Sequence, residues 1–213
     1  MTSAPTITSA RATSESSFFD VRSPDFERRY TAEELLFLQD ENDFELVDGR
    51  LVQRNSGAES SWIAVSLMGH LSNFLRQHPQ GHLFDPQCGY HCFPDDPNKV
   101  RRADVSFIRF GRLPGEVVPK GHINIAPDLA VEVLSPNDLA SEVDIKVQEY
   151  LRSGVRLVWV VHPDSQSVLI YRVNGSIAGV SGTDELSGED VLPGFHCRMS
   201  DIFRQPVSET NAT

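Results

Sequence analysis

A carboxylate in the middle of an apolar strand must find a proton or a cation, and the sequence holds such a residue at Glu132. In Leu129-Ala-Val-Glu-Val-Leu134, the two-residue period of a strand puts Leu129, Val131 and Val133 on one face and Ala130, Glu132 and Leu134 on the other. Both faces are apolar except for Glu132, and an unpaired charge there is costly to desolvate. The plainer reading is a glutamate facing water from a half-exposed strand. The stretch Arg102-Ala-Asp-Val-Ser-Phe107 poses the same problem, with Ala103, Val105 and Phe107 on one face and Arg102, Asp104 and Ser106 on the other. Aspartate is a poor strand former. Beside Glu132 on an adjacent strand, Asp104 supplies the second hard oxygen ligand that Mg²⁺ or Mn²⁺ prefers. Its alternative is an ion pair with Arg101 or Arg102.

Leu139, Val143, Lys146 and Tyr150 share one face of a helix, with Lys146 inside the apolar stripe. A lysine so placed either snorkels to solvent or turns its ammonium inward. Turned toward the carboxylates, it orients a water and stabilises charge developing on a phosphate. On that reading Lys146→Met abolishes hydrolysis and leaves the fold intact. Glu45, between Phe44 and Leu46, is a third carboxylate that either holds the metal, directly or through water, or stays exposed on a hairpin. His70 and His162 have no acid or nucleophile partner in the sequence and read as structural. Ser135-Pro136 lacks the setting of a hydrolase nucleophile, and there is no phosphate-binding loop. Cys88 and Cys92 lie near His82 and His91 with a spacing that matches no strong zinc pattern. With Cys197 they read as free thiols of a reducing compartment.

The net charge of −11 over 213 residues opposes nonspecific adhesion to nucleic acid, because phosphate affinity comes from Lys and Arg. Lys99, Arg101, Arg102, Arg109 and Arg112 nevertheless cluster around a single acid, Asp104. Arg101, Arg102 and Arg109 are therefore expected as a local positive rim that contacts nucleic acid. Much of the excess acid lies elsewhere, as in Asp40-Glu-Asn-Asp43.

These residues need a frame. Residues 1–29 are rich in Ser, Thr and Ala without apolar period and read as a disordered tail. Residues 30–203 read as one domain and 204–213 as a C-terminal tail. Thr31-Ala-Glu-Glu34 has the form of a capping box opening a helix through Leu38. Asp48-Gly49 joins two short strands in a hairpin. Ile63, Leu67, Leu71, Phe74 and Leu75 line one face of a long helix. Strands are expected around Gly89–Phe93, Val100–Ile108 and Leu129–Leu134, then a helix from about Asp138 to Ser153 ended by Gly154, then a strand pair at Leu157–Val161 and Val168–Val173. This is an α/β or α+β domain with a mixed central sheet. The longest apolar run, Leu157-Val-Trp-Val-Val161, is too short to cross a bilayer. No apolar stretch adjoins the basic residues near the N-terminus, so a cytoplasmic protein is expected.

Phe44-Glu-Leu-Val-Asp-Gly49, Arg102-Ala-Asp-Val-Ser106, Pro127-Asp-Leu-Ala-Val-Glu-Val-Leu-Ser-Pro136, Asp144-Ile-Lys146 with Tyr150, and Gly154-Val-Arg-Leu-Val-Trp159 together resemble the Uma-two family of restriction endonucleases, over about residues 30–203. The resemblance implies a PD-(D/E)XK nuclease core, a mixed sheet with flanking helices, and a divalent metal at the strand pair. It implies nucleic acid as the partner, DNA foremost, and is compatible with a homodimer. Two departures stand out. Ala103-Asp104 replaces the Pro-Asp of the superfamily motif, and Leu134 stands where the motif has lysine, so Lys146 on the following helix is the substitute.

Overall fold

Thr31 begins a helix for the reason its residue type implies. In the computed structural model, which describes residues 22–204, its side chain accepts the Glu34 N–H and the Glu34 carboxylate accepts the Thr31 N–H. This capping box opens α1 (Ala32–Leu35). A hairpin of β1 (Phe44–Val47) and β2 (Arg50–Gln53) follows. It turns at Asp48 and Gly49 with φ of 51° and 74°, the two left-handed residues that a tight hairpin needs. Next come α2 (Ala58–Gln77), β3 (Gly81–Phe84), β4 (Val105–Arg109), β5 (Leu129–Val133), α3 (Ala140–Ser153) and β6 (Leu157–His162). The chain continues through β7 (Ser167–Arg172), β8 (Ile177–Ser181), β9 (Glu185–Ser187), β10 (His196–Arg198) and α4 (Met199–Phe203).

Strands β3 to β8 lie in that order in one mixed sheet. Its only parallel pair is β5–β6, and α3 provides the long crossover such a pair requires. Strand alternation then sorts the core into two layers. Val105, Phe107, Leu129, Val131, Val133 and Trp159 pack with Ile63, Leu67 and Leu71 of α2. Ile108, Ala130, Val158 and Val160 pack with Val147 and Tyr150 of α3. Glu132 is in step with Ala130 and so faces α3. A third cluster joins α1 to the hairpin through Leu35, Phe44, Leu46 and Val100.

Several expected elements change. Gly89–Phe93 forms no strand; Tyr90 makes only isolated bridges to Arg101 and Ile123. The expected strand Val100–Ile108 is divided. Val100 pairs with Leu46 of the hairpin, and β4 proper starts at Val105. At the break, the Asp104 carboxylate accepts the Val133 N–H at 2.7 Å, so a side chain closes the end of the β4–β5 ladder. Contacts with the domain also extend N-terminal to residue 30. Arg22 donates its N–H to the Phe37 carbonyl and accepts that of Gln39, and Phe26 packs edge-on against Phe44. The rest of the expected N-terminal tail, 1–21, and the C-terminal residues 205–213 lie outside the described residues. No helix among the described residues is long and apolar enough to cross a membrane. Cys88, Cys92 and Cys197 are free thiols.

Candidate active site

Three elements converge on Glu132. The strand β5 carries it inward at 8% exposure, and α3 supplies two donors one helical turn apart. Lys146 Nζ lies 2.8 Å from Glu132 Oε2, and the Tyr150 hydroxyl donates to Oε1 at 2.9 Å. The hairpin brings Glu45, 4% exposed, whose Oε1 lies 2.9 Å from the same Lys146 Nζ. Lys146 thus bridges two buried glutamates instead of snorkelling.

Docking of the hairpin explains how Glu45 reaches this point. Leu46 and Val100 exchange both backbone hydrogen bonds at 2.9 Å, which sets Glu45 beside the next residues of that segment. Its Oε1 accepts the Arg102 N–H and its Oε2 accepts from Arg101 Nη1, each at 2.8 Å. Arg101 also pairs with Glu149 at 2.6 Å, as does Lys99 at 2.5 Å.

The antiparallel register pairs Val105 with Val131, and one step further it sets Asp104 opposite Glu132, on the same face. Asp104 Oδ2 accepts the Val133 N–H, and Oδ1 lies 3.2 Å from Arg54 Nη2. Its ion-pair partner is therefore neither Arg101 nor Arg102. Arg54, at the end of the hairpin, carried no signal in the sequence beyond its type. Tyr150 is visible there in the helical stripe, but not as a donor to Glu132.

The carboxylates respond differently to similar burial. For Glu45, burial works against the charge but is outweighed by Lys146, Arg101 and the Arg102 N–H, so its carboxyl is held below the usual range. For Glu132, burial prevails: Lys146 opposes it, while Asp104 and Glu45 add repulsion, and the carboxyl is pushed up. Asp104 is likewise raised by burial, against the pull of Lys146, the Val133 N–H and Arg54. Lys146 is held above its usual range, because Glu132 and Glu45 outweigh its own burial. It remains an ammonium.

A cleft of about 280 Å³ opens over these groups. Val52 and Arg54 of the hairpin side and Val143 and Ile145 of α3 form its walls, and Glu45, Asp104, Glu132 and Lys146 lie within it. Among the described residues, no group of three or more His, Cys, Asp or Glu is arranged to hold a metal ion. Asp104 and Glu132 do suit a smaller demand. They are hard oxygen donors, both pushed toward protonation by burial, and a bound cation would relieve both. Mg²⁺ commonly takes one or two carboxylates and fills its other positions with water and substrate phosphate.

The expected basic rim is not formed. Arg102 is 2% exposed; it donates to the carbonyls of Phe44 and Gln87 and so fastens the hairpin to the sheet. Arg101 is buried in its two ion pairs. Alternation assigned these residues to faces, but the docked hairpin covers both. Arg109 lies at the other end of β4, where its backbone N–H donates to Asp128 at 2.9 Å. His70 lies on α2, which packs on the other face of the sheet, and His162 borders a separate cavity with Ser135 and Asp138.

Residues 25–200 match the model of the Uma2 family, described as "Putative restriction endonuclease". The chain is similar to a solved structure from Anabaena variabilis ATCC 29413, described as a "putative nuclease belonging to DUF820". The TM-score is 0.67 and the identity 22%, with 81% of this chain and 97% of that chain covered. That likeness concerns the fold, a restriction-endonuclease-like mixed sheet with helices on both faces. No curated protein matches the chain.

Proposed function

Since the chain belongs to the Uma2 family, we propose that it is a metal-dependent endonuclease hydrolysing nucleic-acid phosphodiester bonds, DNA foremost, in the cleft over Asp104 and Glu132. The observation that carries this reading is the pair of raised carboxylates facing each other, Asp104 just before β4 and Glu132 on β5, with the Lys146 ammonium 2.8 Å from one of them. Asp104 and Glu132 are the residues that would hold Mg²⁺ or Mn²⁺, which when bound polarises water and phosphate as a Lewis acid.

The remaining work belongs to the chain's own side chains. Tyr150 and Lys146 each engage one oxygen of Glu132 and fix its carboxylate plane. The Val133 N–H does the same for Asp104. Lys146 keeps its proton, so it acts as a hydrogen-bond donor to a phosphoryl oxygen or to the attacking water, and not as a general base. Glu45 takes no proton from substrate. Held ionised by Lys146, Arg101 and the Arg102 N–H, it aims Lys146. The apolar walls formed by Val52, Val143 and Ile145 limit water around the reacting phosphate.

A second reading, a noncatalytic nucleic-acid-binding or regulatory protein, is favoured by one feature: both oxygens of Glu132 and of Asp104 already have protein partners. Incubating the full chain with supercoiled plasmid, single-stranded DNA and RNA, in Mg²⁺, Mn²⁺ or EDTA, separates the two. Cleavage that needs a divalent ion and is lost in Asp104→Asn is the expected result. Binding without cleavage in every metal supports the second reading and refutes the first.

A further inference from the structure

Three cationic side chains border the cleft, and their partners differ. Arg101 lies between Glu45 and Glu149, and Lys146 lies between Glu45 and Glu132. Arg54 forms an ion pair with Asp104 alone, at 3.2 Å. Its other terminal nitrogen, Nη1, donates to the carbonyl oxygens of Pro86 at 3.1 Å and Asn42 at 3.4 Å. Those partners are neutral, so they hold the guanidinium in place without cancelling its charge. Its side chain is also the most accessible of the three, at 19% against 16% for Lys146 and 9% for Arg101.

We propose that Arg54 is a phosphate-binding residue of this site, donating from Nη2 to a non-bridging oxygen of the phosphodiester beside Asp104. The proposal rests on the nuclease reading above and adds to it the group that receives the substrate's charge. Arginine suits the task because its planar fork is matched to phosphate oxygens. Being held beforehand by two carbonyls, this one loses little freedom when substrate arrives. Asp104 is not set loose by the exchange, because its Oδ2 keeps the Val133 N–H at 2.7 Å. The position also fits. Arg54 follows the hairpin strand β2 and meets Asp104 from the hairpin wall of the cleft, so a phosphate that takes the place of Asp104 Oδ1 on Nη2 would lie within the cleft.

The test uses the full chain, a short fluorescein-labelled single-stranded DNA, and anisotropy read across a salt series in EDTA and in Mn²⁺, with turnover measured alongside. In Arg54→Gln the affinity at low salt is expected to fall about tenfold, the scale of one charge-assisted hydrogen bond. The slope of log K against log salt should become shallower by about 0.7, the value for one phosphate contact on a single strand. Arg54→Lys should keep the wild-type slope while losing turnover, since it keeps the charge but not the fork. If Arg54→Gln proves unfolded by circular dichroism, Arg54→Lys decides, and wild-type turnover in it overturns the proposal. Wild-type binding and slope in a folded Arg54→Gln also overturn it and leave the nuclease reading standing. A wild-type chain that neither binds nor cleaves the DNA removes both.

Discussion

Lys146 shows how one residue can hold a site together and also act in it. Its ammonium lies 2.9 Å from Glu45 and 2.8 Å from Glu132, two carboxylates that would otherwise repel each other with little water between them. The sequence-based expectation that Lys146→Met leaves the fold intact therefore needs correcting. Breaking a buried ion pair from one side leaves an uncompensated charge and costs about 3–5 kcal/mol. We expect Lys146→Met to lose that much in urea unfolding and to lose turnover as well. Wild-type stability in the mutant would mean that the ammonium does not sit between the glutamates. The aliphatic stem of Met fills much of the lysine's space, so the loss reports charge more than packing.

At the scale of elements, α3 positions most of the site, since Lys146, Glu149 and Tyr150 all project from it. Its end is set by Gly154 at φ 100°, whose N–H closes the last turn on the Leu151 carbonyl at 3.1 Å. A Cβ added there meets nothing within 4 Å, so the cost of Gly154→Ala is backbone strain alone, about 1–2 kcal/mol for an L-residue held in this region. Thermal unfolding should show a lowered midpoint, and a midpoint equal to wild type would mean that α3 ends without a left-handed residue. This helix end was legible in the sequence, because glycine advertises the conformation it permits. The early end of the β4–β5 ladder was not, since it depends on Asp104 taking the Val133 N–H from another strand.

The whole molecule has its own titration. His122 is buried, and its Nε2 lies 2.9 Å from the Ala32 carbonyl, which ties the central loop to α1. Burial, with Arg102 and His91 adding repulsion, pushes its pKa down to about 4 from 6.5, against the pull of that carbonyl and of Glu33. The folded state therefore binds its proton less readily than the unfolded chain does. Its contribution to stability is complete above about pH 6.5 and is lost as pH falls toward about 4. Glu45 acts in a lower window: its carboxyl is depressed below 4.5, so its contribution is lost as pH falls below that value. Urea unfolding of wild type and His122→Gln as a function of pH should give a flatter curve for the mutant between pH 6.5 and 4. Parallel curves would mean that the imidazole is not buried neutral.

Strand and helix periods follow from backbone geometry, which every residue carries with it, so the face that Asp104 and Glu132 each take on its own strand, and the helix stripe shared by Lys146 and Tyr150, were readable in order along the chain. Which charge meets which was not readable. Glu45 and Arg101 are 56 residues apart, and Arg54 and Asp104 are 50 apart. These pairs exist because Leu46 pairs with Val100 and thereby lays the hairpin over Arg101 and Arg102. By composition that arginine cluster was a rim for nucleic acid; once covered, Arg101 became the internal counter-charge of a buried glutamate, and the most accessible of the cations bordering the cleft is Arg54, at 19%. Ion pairs form between whatever groups the fold brings together and excludes from water, and that depends on tertiary contacts that no local pattern encodes.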